Sequence, residues 1–347
     1  MKNIGPGSVI AAAFIGPGTV TMCTIAGSQF GFTLLWALLL SIVITIFLQT
    51  IAVRIGIISQ SSLSNTIVSQ FRSKTIRIVS IILILSAILV GNIAYEAGNI
   101  SGGVLGLEAV FGNLDITGGY NAYSLIIGFI AFIILLLGNN RILEKILMGL
   151  VLFMSLAFLF TAIKIGPDLE SFFSGLFIPS FPDNSILIII GLIGTTVVPY
   201  NLFLHSYIAK KKWKTIEDYK LSIPDTIISI LIGGIISISI IITAASNNHL
   251  INGSNIKNAI DLGGQLTPYL GDFSKYFISI GLFSAGITSS ITAPIATSYA
   301  LSGIFNYKAE WKDKNFKIVA IIIILFGIIF SSINYSPIIT VSYTHLR

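Results

Sequence analysis

The chain has 347 residues, 54% of them hydrophobic and only 10% charged, with a formal net charge of +6 and a mean hydropathy of +0.92. A soluble domain carries about 25% charge, so these values exclude one and place the chain in a membrane. The single cysteine, Cys23, excludes an internal disulfide and a cysteine-rich metal site.

Taken in chain order, the apolar runs predict nine spans, at roughly 8–29, 32–55, 77–98, 122–138, 143–165, 185–209, 221–246, 274–303 and 316–333. The first run holds a Pro-Gly break and leads almost directly into the second, so it reads as a span and not as a cleavable signal. Two spans are interrupted, the first by Gly16-Pro17-Gly18-Thr19 and the sixth by Val198-Pro199-Tyr200-Asn201. Proline lacks the donor a helix needs and glycine loosens the backbone, so each break frees amides and carbonyls. In hydrocarbon such groups are tolerated where they line a polar cavity. A matched pair of broken spans in two halves of a chain is the pointer to a transporter binding site.

The basic residues alternate between connections. With the N-terminus in the cytoplasm, Lys2, Arg54, Arg72, Lys74, Arg77, Arg141 and Lys145 fall inside. So do Lys210, Lys211, Lys212, Lys214, Lys220, Lys308, Lys312, Lys314 and Lys317, making 16 of the 20 basic residues. An excess of Lys and Arg on one side sets orientation, so the positive charge reads as topology and not as a nucleic-acid patch. Near the end, Ser336-Pro337-Ile338-Ile339-Thr340-Val341 opens as a tenth span would, and the polar run Ser342 to Arg347 stops it. The expectation is a truncated or misassembled C-terminus, in which His345 carries no functional weight.

Several motifs resemble one family. Gly5-Pro6-Gly7, Gly16-Pro17-Gly18 and the run Gly27-Ser28-Gln29-Phe30-Gly31-Phe32-Thr33-Leu34-Leu35-Trp36 look like the opening of the Nramp divalent-metal transporters. Pro199-Tyr200-Asn201-Leu202-Phe203-Leu204-His205-Ser206 is similar to that family's Met-Pro-His-Asn-Leu-Tyr-Leu-His-Ser, and the segment Ala285 to Thr292 resembles its Gly-Gln-Ser-Ser-Thr stretch. The resemblance covers about residues 4–341. It implies an all-α polytopic membrane protein: a leucine-transporter-like inverted-repeat bundle with discontinuous helices 1 and 6. Residues 1–347 would form one transporter domain, with a first repeat over about 8–165 and an incomplete second over about 185–341. Family members import manganese, iron and related ions, linked to protons.

The chain departs from the family at the metal site. Gly16 and Thr19 replace the aspartate and asparagine of the first span, Val198 and Tyr200 the methionine and histidine of the sixth, and Ile93 the aspartate of the third. The soft thioether and the carboxylate that suit transition ions are therefore missing.

Candidate residues remain, each with a plainer alternative. Carbonyls near Phe14–Ile15 and Thr195–Thr196, with Gly16, Thr19, Val198, Tyr200 and Asn201, would form a substrate site of uncharged oxygens; two proline kinks absorbed by packing is the plain reading. Glu96 would carry protons or supply the missing negative charge, or else reach interfacial water near Asn92 and Asn99. His205, six residues after Pro199 on the sixth span, would relay protons or hydrogen-bond within the bundle. Thr288 and Ser289, beside Ser290 and Thr292, would hold a coupling ion or serve close helix packing. Gln49 reads as packing or gate material, and Asp225, after Pro224, as a helix-start cap.

The sequence thus reads as a multi-pass transporter of the cell membrane. It would move a divalent cation, with a harder ion such as Mg²⁺ favoured by neutral oxygen ligands. The alternative is a small organic solute such as an amino acid, coupled to sodium or protons. No catalytic triad, nucleotide loop or metal-hydrolase motif is present, so neither an enzyme nor a cofactor is expected; the partners are the ion and the lipid bilayer, with no nucleic acid.

Overall fold

A computed structural model describes Gly7 and residues 14–116, 120–137, 141–246, 259–333 and 340–341. The Gly5-Pro6 part of the first motif, residues 8–13 of the first span and most of the tenth-span segment lie outside the described residues, as does His345. The described helices are α1 (Pro17–Phe30), α2 (Leu35–Ser59), α3 (Leu63–Ser69), α4 (Lys74–Leu85), α5 (Gly91–Phe111), α6 (Ala122–Leu137), α7 (Arg141–Ile165) and α8 (Leu169–Phe177). They continue with α9 (Ile186–Thr196), α10 (Pro199–Lys212), α11 (Ile216–Ser246), α12 (Ala259–Gly264), α13 (Thr267–Leu270), α14 (Ser274–Phe305) and α15 (Lys314–Ser332). A two-residue antiparallel ladder, Asp115–Ile116 against Tyr120–Asn121, joins α5 to α6.

Among the described residues, seven helices are long and apolar enough to cross a bilayer. The shorter apolar α6, and α1 as the described part of the first span, complete the set of apolar runs. The third span differs most from expectation. A five-residue π-helical segment, Ser86–Val90, joins α4 to α5, and the whole runs Lys74–Phe111, 38 residues, where the sequence suggested an end near 98. Residues 99–111 include Asn99, Ser101, Gly102, Gly103 and Gly106, all buried, which read as polar yet pack inside the bundle. Hydropathy alone therefore stops too soon. Gly112, at φ 75°, ends the helix.

The pair α5–α14 is the spine of the molecule. The two helices run antiparallel: Gly106 lies against the Ser279 carbonyl, Gly103 and Asn99 against Gly286, and Asn92 against Thr297. A Cβ built on Gly286 would stand 2.6 Å from the Gly103 nitrogen and 2.8 Å from the Asn99 carbonyl oxygen, so only glycine permits this approach. Small residues at such crossings replace the hydrophobic drive that lipid removes. Beside the spine, α1 lies along α11 in the same direction. The Asp225 Oδ2 accepts from the Gly7 amide at 2.8 Å, Phe14 packs on Gly233, and Gly27 abuts the Ile241 carbonyl.

Asp225 is accordingly not the helix-start cap expected of it. Helix α11 begins at Ile216, where Asp218 accepts from the Lys214 and Thr215 amides while the Thr215 hydroxyl accepts from the Asp218 amide. That reciprocal arrangement starts the helix well before Pro224, and leaves Asp225 inside it, facing the N-terminal segment.

Substitution tests the spine. Gly286→Val is expected to destabilise the protein by about 1–3 kcal/mol or to block folding, read as a lowered Tm in detergent. Gly149→Ala on α7, where an added Cβ meets nothing within 4 Å, should leave Tm unchanged or raise it slightly. Equal effects would refute the close α5–α14 contact.

Candidate functional site

Both breaks are present as real interruptions of helix. Phe14 is helical, Ile15 and Gly16 are not, and α1 starts at Pro17 with Gly16 extended at φ −91°, ψ 174°. In the sixth span α9 ends at Thr196, Val197 and Val198 leave the helix, and α10 starts at Pro199. Proline at the first helical position suits both starts, because that N–H would be unpaired in any case. Neither start has a side-chain cap.

The sequence places hydroxyls at the breaks, and the structure gives them local partners. Thr19 Oγ1 donates to the Phe14 carbonyl at 2.7 Å, bridging the first break. Thr195 Oγ1 donates to Leu192 O at 2.9 Å and Thr196 Oγ1 to Ile193 O at 2.9 Å, back into α9. These bonds occupy the hydroxyl hydrogens and leave the hydroxyl lone pairs as acceptors. Asn201 is buried, its amide nitrogen of the main chain bonds Val198 O, and its side-chain Oδ1 has no hydrogen-bond partner. A buried unsatisfied carbonyl costs about 1–3 kcal/mol, which marks Asn201 as a group oriented for something other than packing.

Both breaks converge on the spine. A Cβ on Gly16 would meet Ser289 Oγ at 3.6 Å, an ordinary contact, and Pro17 fills the notch left by Gly102 of α5. At the other break, Val198, Tyr200 and Leu204 form a small cluster with Ala293 and Ala296 of α14. The Tyr200 ring meets Tyr95 of α5 edge-on at 5.9 Å, and the Tyr95 hydroxyl donates to the Gly194 carbonyl at 3.3 Å. Thus Gly16 borders Ser289 of α14, and Val198 and Tyr200 border α14 and Tyr95 of α5, with Asn201 next in the chain. Thr288 Oγ1 likewise donates to Ser284 O within its own helix at 2.7 Å.

The two candidate proton groups sit on α10 and α5. His205 is fully buried one turn beyond Asn201, and its Nδ1 pairs with Gln49 Oε1 of α2 at 2.9 Å. An amide oxygen only accepts, so Nδ1 carries the hydrogen and Nε2, which has no partner, is the basic nitrogen. Glu96 is fully buried on α5; its Oε2 accepts from Asn99 Nδ2 at 3.4 Å and its Oε1 has no partner. Gly327 of α15 closes over it, with a built Cβ only 2.3 Å from Glu96 Cγ. Among the described residues no three of His, Cys, Asp and Glu gather where they could hold a metal ion. Sequence reasoning missed Tyr95 and undervalued Gln49; their partners lie 99 and 156 residues away, and nothing local signals them.

The comparisons with known proteins agree with this architecture. The family model described as "Natural resistance-associated macrophage protein-like" (Nramp) matches residues 7–344. A divalent metal cation transporter, MntH, of Yersinia pestis (strain Pestoides F) is 27% identical over 313 residues, covering 88% of this chain and 74% of the relative. The MntH of Bacillus subtilis (strain 168) is 29% identical over 312 residues, covering 88% and 71%. Among solved structures, a mutant manganese transporter of Eremococcus coleocola superposes with a TM-score of 0.71 at 20% identity, over 94% of this chain and 69% of that one. A Na⁺-coupled sialic acid symporter superposes at 0.57 with 15% identity, over 96% and 75%. At these identities the structures speak for the fold, an inverted-repeat helical bundle with discontinuous helices 1 and 6. Carried by a family match over nearly its whole length, the chain belongs to the Nramp family of membrane transporters.

Proposed function

We propose that this protein is a secondary transporter that moves a divalent metal cation across the cell membrane by alternating access, linked to protons. The observation that carries the reading is the convergence of both helix breaks on α5 and α14, beside Ser289 and the unpartnered Asn201 Oδ1. Relatives named as divalent metal cation transporters support the cargo class. The ligands on offer are the Thr19, Tyr200 and Ser289 hydroxyls, the Asn201 amide oxygen, and carbonyls at the ends of the two broken half-helices. All are hard, uncharged oxygens; Gly16 and Val198 contribute space and no donor. Such a set favours a hard ion that keeps part of its water, Mg²⁺ over Mn²⁺. His205, through its free Nε2, and Glu96, through its unpartnered oxygen, are the groups that would take up and release the linked proton.

A second reading, an organic solute such as an amino acid, draws on one feature: α1 and α10 begin without side-chain caps. Exposed amides at a helix start suit a carboxylate. A thermal-shift comparison separates the two, since a ligand stabilises the form it binds. Cations and not amino acids should raise Tm.

Flux into liposomes tests the main reading. Mg²⁺ uptake is expected, with Mn²⁺ a weaker competitor and His205→Gln uncoupling uptake from pH; no uptake of Mg²⁺, Mn²⁺ or Ca²⁺ by folded protein would defeat it. Gly16→Asp gives a sharper test, because the new Cβ has room beside Ser289. A carboxylate there should tighten Mn²⁺ binding at least about tenfold, or about 1.4 kcal/mol; unchanged affinity in a folded variant would remove Gly16 from the site. Orientation is tested with Lys210→Cys in a Cys23→Ser background. An impermeant maleimide should label it only after the cells are permeabilised, and labelling of intact cells would invert the topology.

A further inference from the structure

The seam between α5 and α14 holds more polar atoms than packing requires. Asn92, Glu96 and Asn99 follow one another at helical spacing along one face of α5, and Ser290 and Thr297 answer them from α14. Asn92 Nδ2 donates to Thr297 Oγ1, and Asn99 Nδ2 donates to Glu96 Oε2. The remaining atoms are all acceptors or hydroxyls: Asn92 Oδ1, Glu96 Oε1 and Ser290 Oγ have no hydrogen-bond partner, and all three residues are fully buried. Ser290 stands beside the Glu96 carboxyl, close enough for its hydroxyl to turn towards it, and no other group partners its oxygen.

We infer that Glu96, Ser290 and Asn92 form a binding site for a sodium ion between α5 and α14, in competition with the proton. The inference rests on the reading of Glu96 as the coupling residue and names the ion it takes. An amide oxygen, a carboxylate oxygen and the lone pairs of a hydroxyl form the ligand type of a hard cation. Charge decides its valence. The seam contains one carboxylate, and a buried charge is tolerated only when it is paired. One sodium ion matches the single negative charge of Glu96.

The surroundings leave Glu96 as the group that decides occupancy. Facing it are Ser290 from α14 and Gly327 from α15, and the phenol of Tyr200, itself beside Tyr95, lies within electrostatic reach. The charged residues of the flanking helices sit towards their ends: Glu108 on α5, Lys275 on α14, and Lys314 and Lys317 on α15. The seam's three oxygens come from α5 and α14 alone, whereas the ligands at the breaks come from α1, α9 and α10 together with Ser289.

The test is thermal stability of the full chain in detergent, with sodium, potassium or choline chloride at constant ionic strength and no divalent ion present. A saturable rise in Tm with sodium is expected, absent with potassium and choline. Glu96→Gln should abolish it, Ser290→Ala should raise the half-saturating sodium concentration at least tenfold, and lowering the pH should raise that concentration in the wild type. An equal response to potassium or choline, or a sodium response that survives Glu96→Gln, would overturn the site. If Glu96→Gln fails to fold, Ser290→Ala decides alone, and an unchanged half-saturation refutes the proposal. Because no divalent ion is involved, sodium stabilisation without Mg²⁺ or Mn²⁺ flux would sink the proposed cargo and leave this site standing.

Discussion

Main-chain polar groups that leave a helix inside hydrocarbon must find partners, and this constraint organises the molecule. A lipid-exposed, unpaired peptide group costs several kcal/mol, so a broken span can exist only against protein or water. Here each break is bedded on α5 and α14. Pro17 fills the notch at Gly102, and Val198 and Tyr200 rest on Ala293, Ala296 and Tyr95. Threonine hydroxyls then close the nearest gaps, Thr19 to Phe14 and Thr196 to Ile193. Among the groups that stay unpaired are the Asn201 side-chain oxygen, the His205 Nε2 and one oxygen of Glu96.

The same bedding ties the helices around the breaks to one another. Glycine-mediated contact between α5 and α14 is too close to slide without clashes, as the Gly286 approach requires. The α10 helix is likewise tied to α2, through Gln49 to His205, Gly56 against the Ser206 carbonyl, and Gln60 to Trp213 O. The segment before the first break meets α11 through the Gly7 amide on Asp225 and through Phe14 on Gly233.

Much of this is legible in the sequence, and the limits have physical causes. The breaks are visible because Pro17 and Pro199 interrupt apolar runs that must otherwise be continuous. The spans are visible because lipid demands long apolar helices, and the exposed Phe47, Leu83, Phe129 and Phe153 satisfy it. The third span is misjudged because small and polar residues from Asn99 to Gly106 serve helix packing, which hydropathy scores as if it were loop. Asp225 is misjudged because Pro224 imitates a helix start, while the true start is set by Thr215 and Asp218. The partners of Tyr95 and His205 come from distant spans, so their roles emerge only in three dimensions. The polar face of Asn92, Glu96 and Asn99 has helical spacing, and could have been recognised from the sequence alone.

The central claim is that the two breaks face one another across a water-accessible cavity that receives the cargo. Introduce cysteines at Asn201 and Ser289 singly, in a Cys23→Ser background, and measure their labelling by a small hydrophilic thiol reagent with and without Mg²⁺. The account predicts that both positions are labelled and that Mg²⁺ slows both reactions. Two positions inert to the reagent in folded protein, with or without the ion, would place them in sealed packing and contradict it.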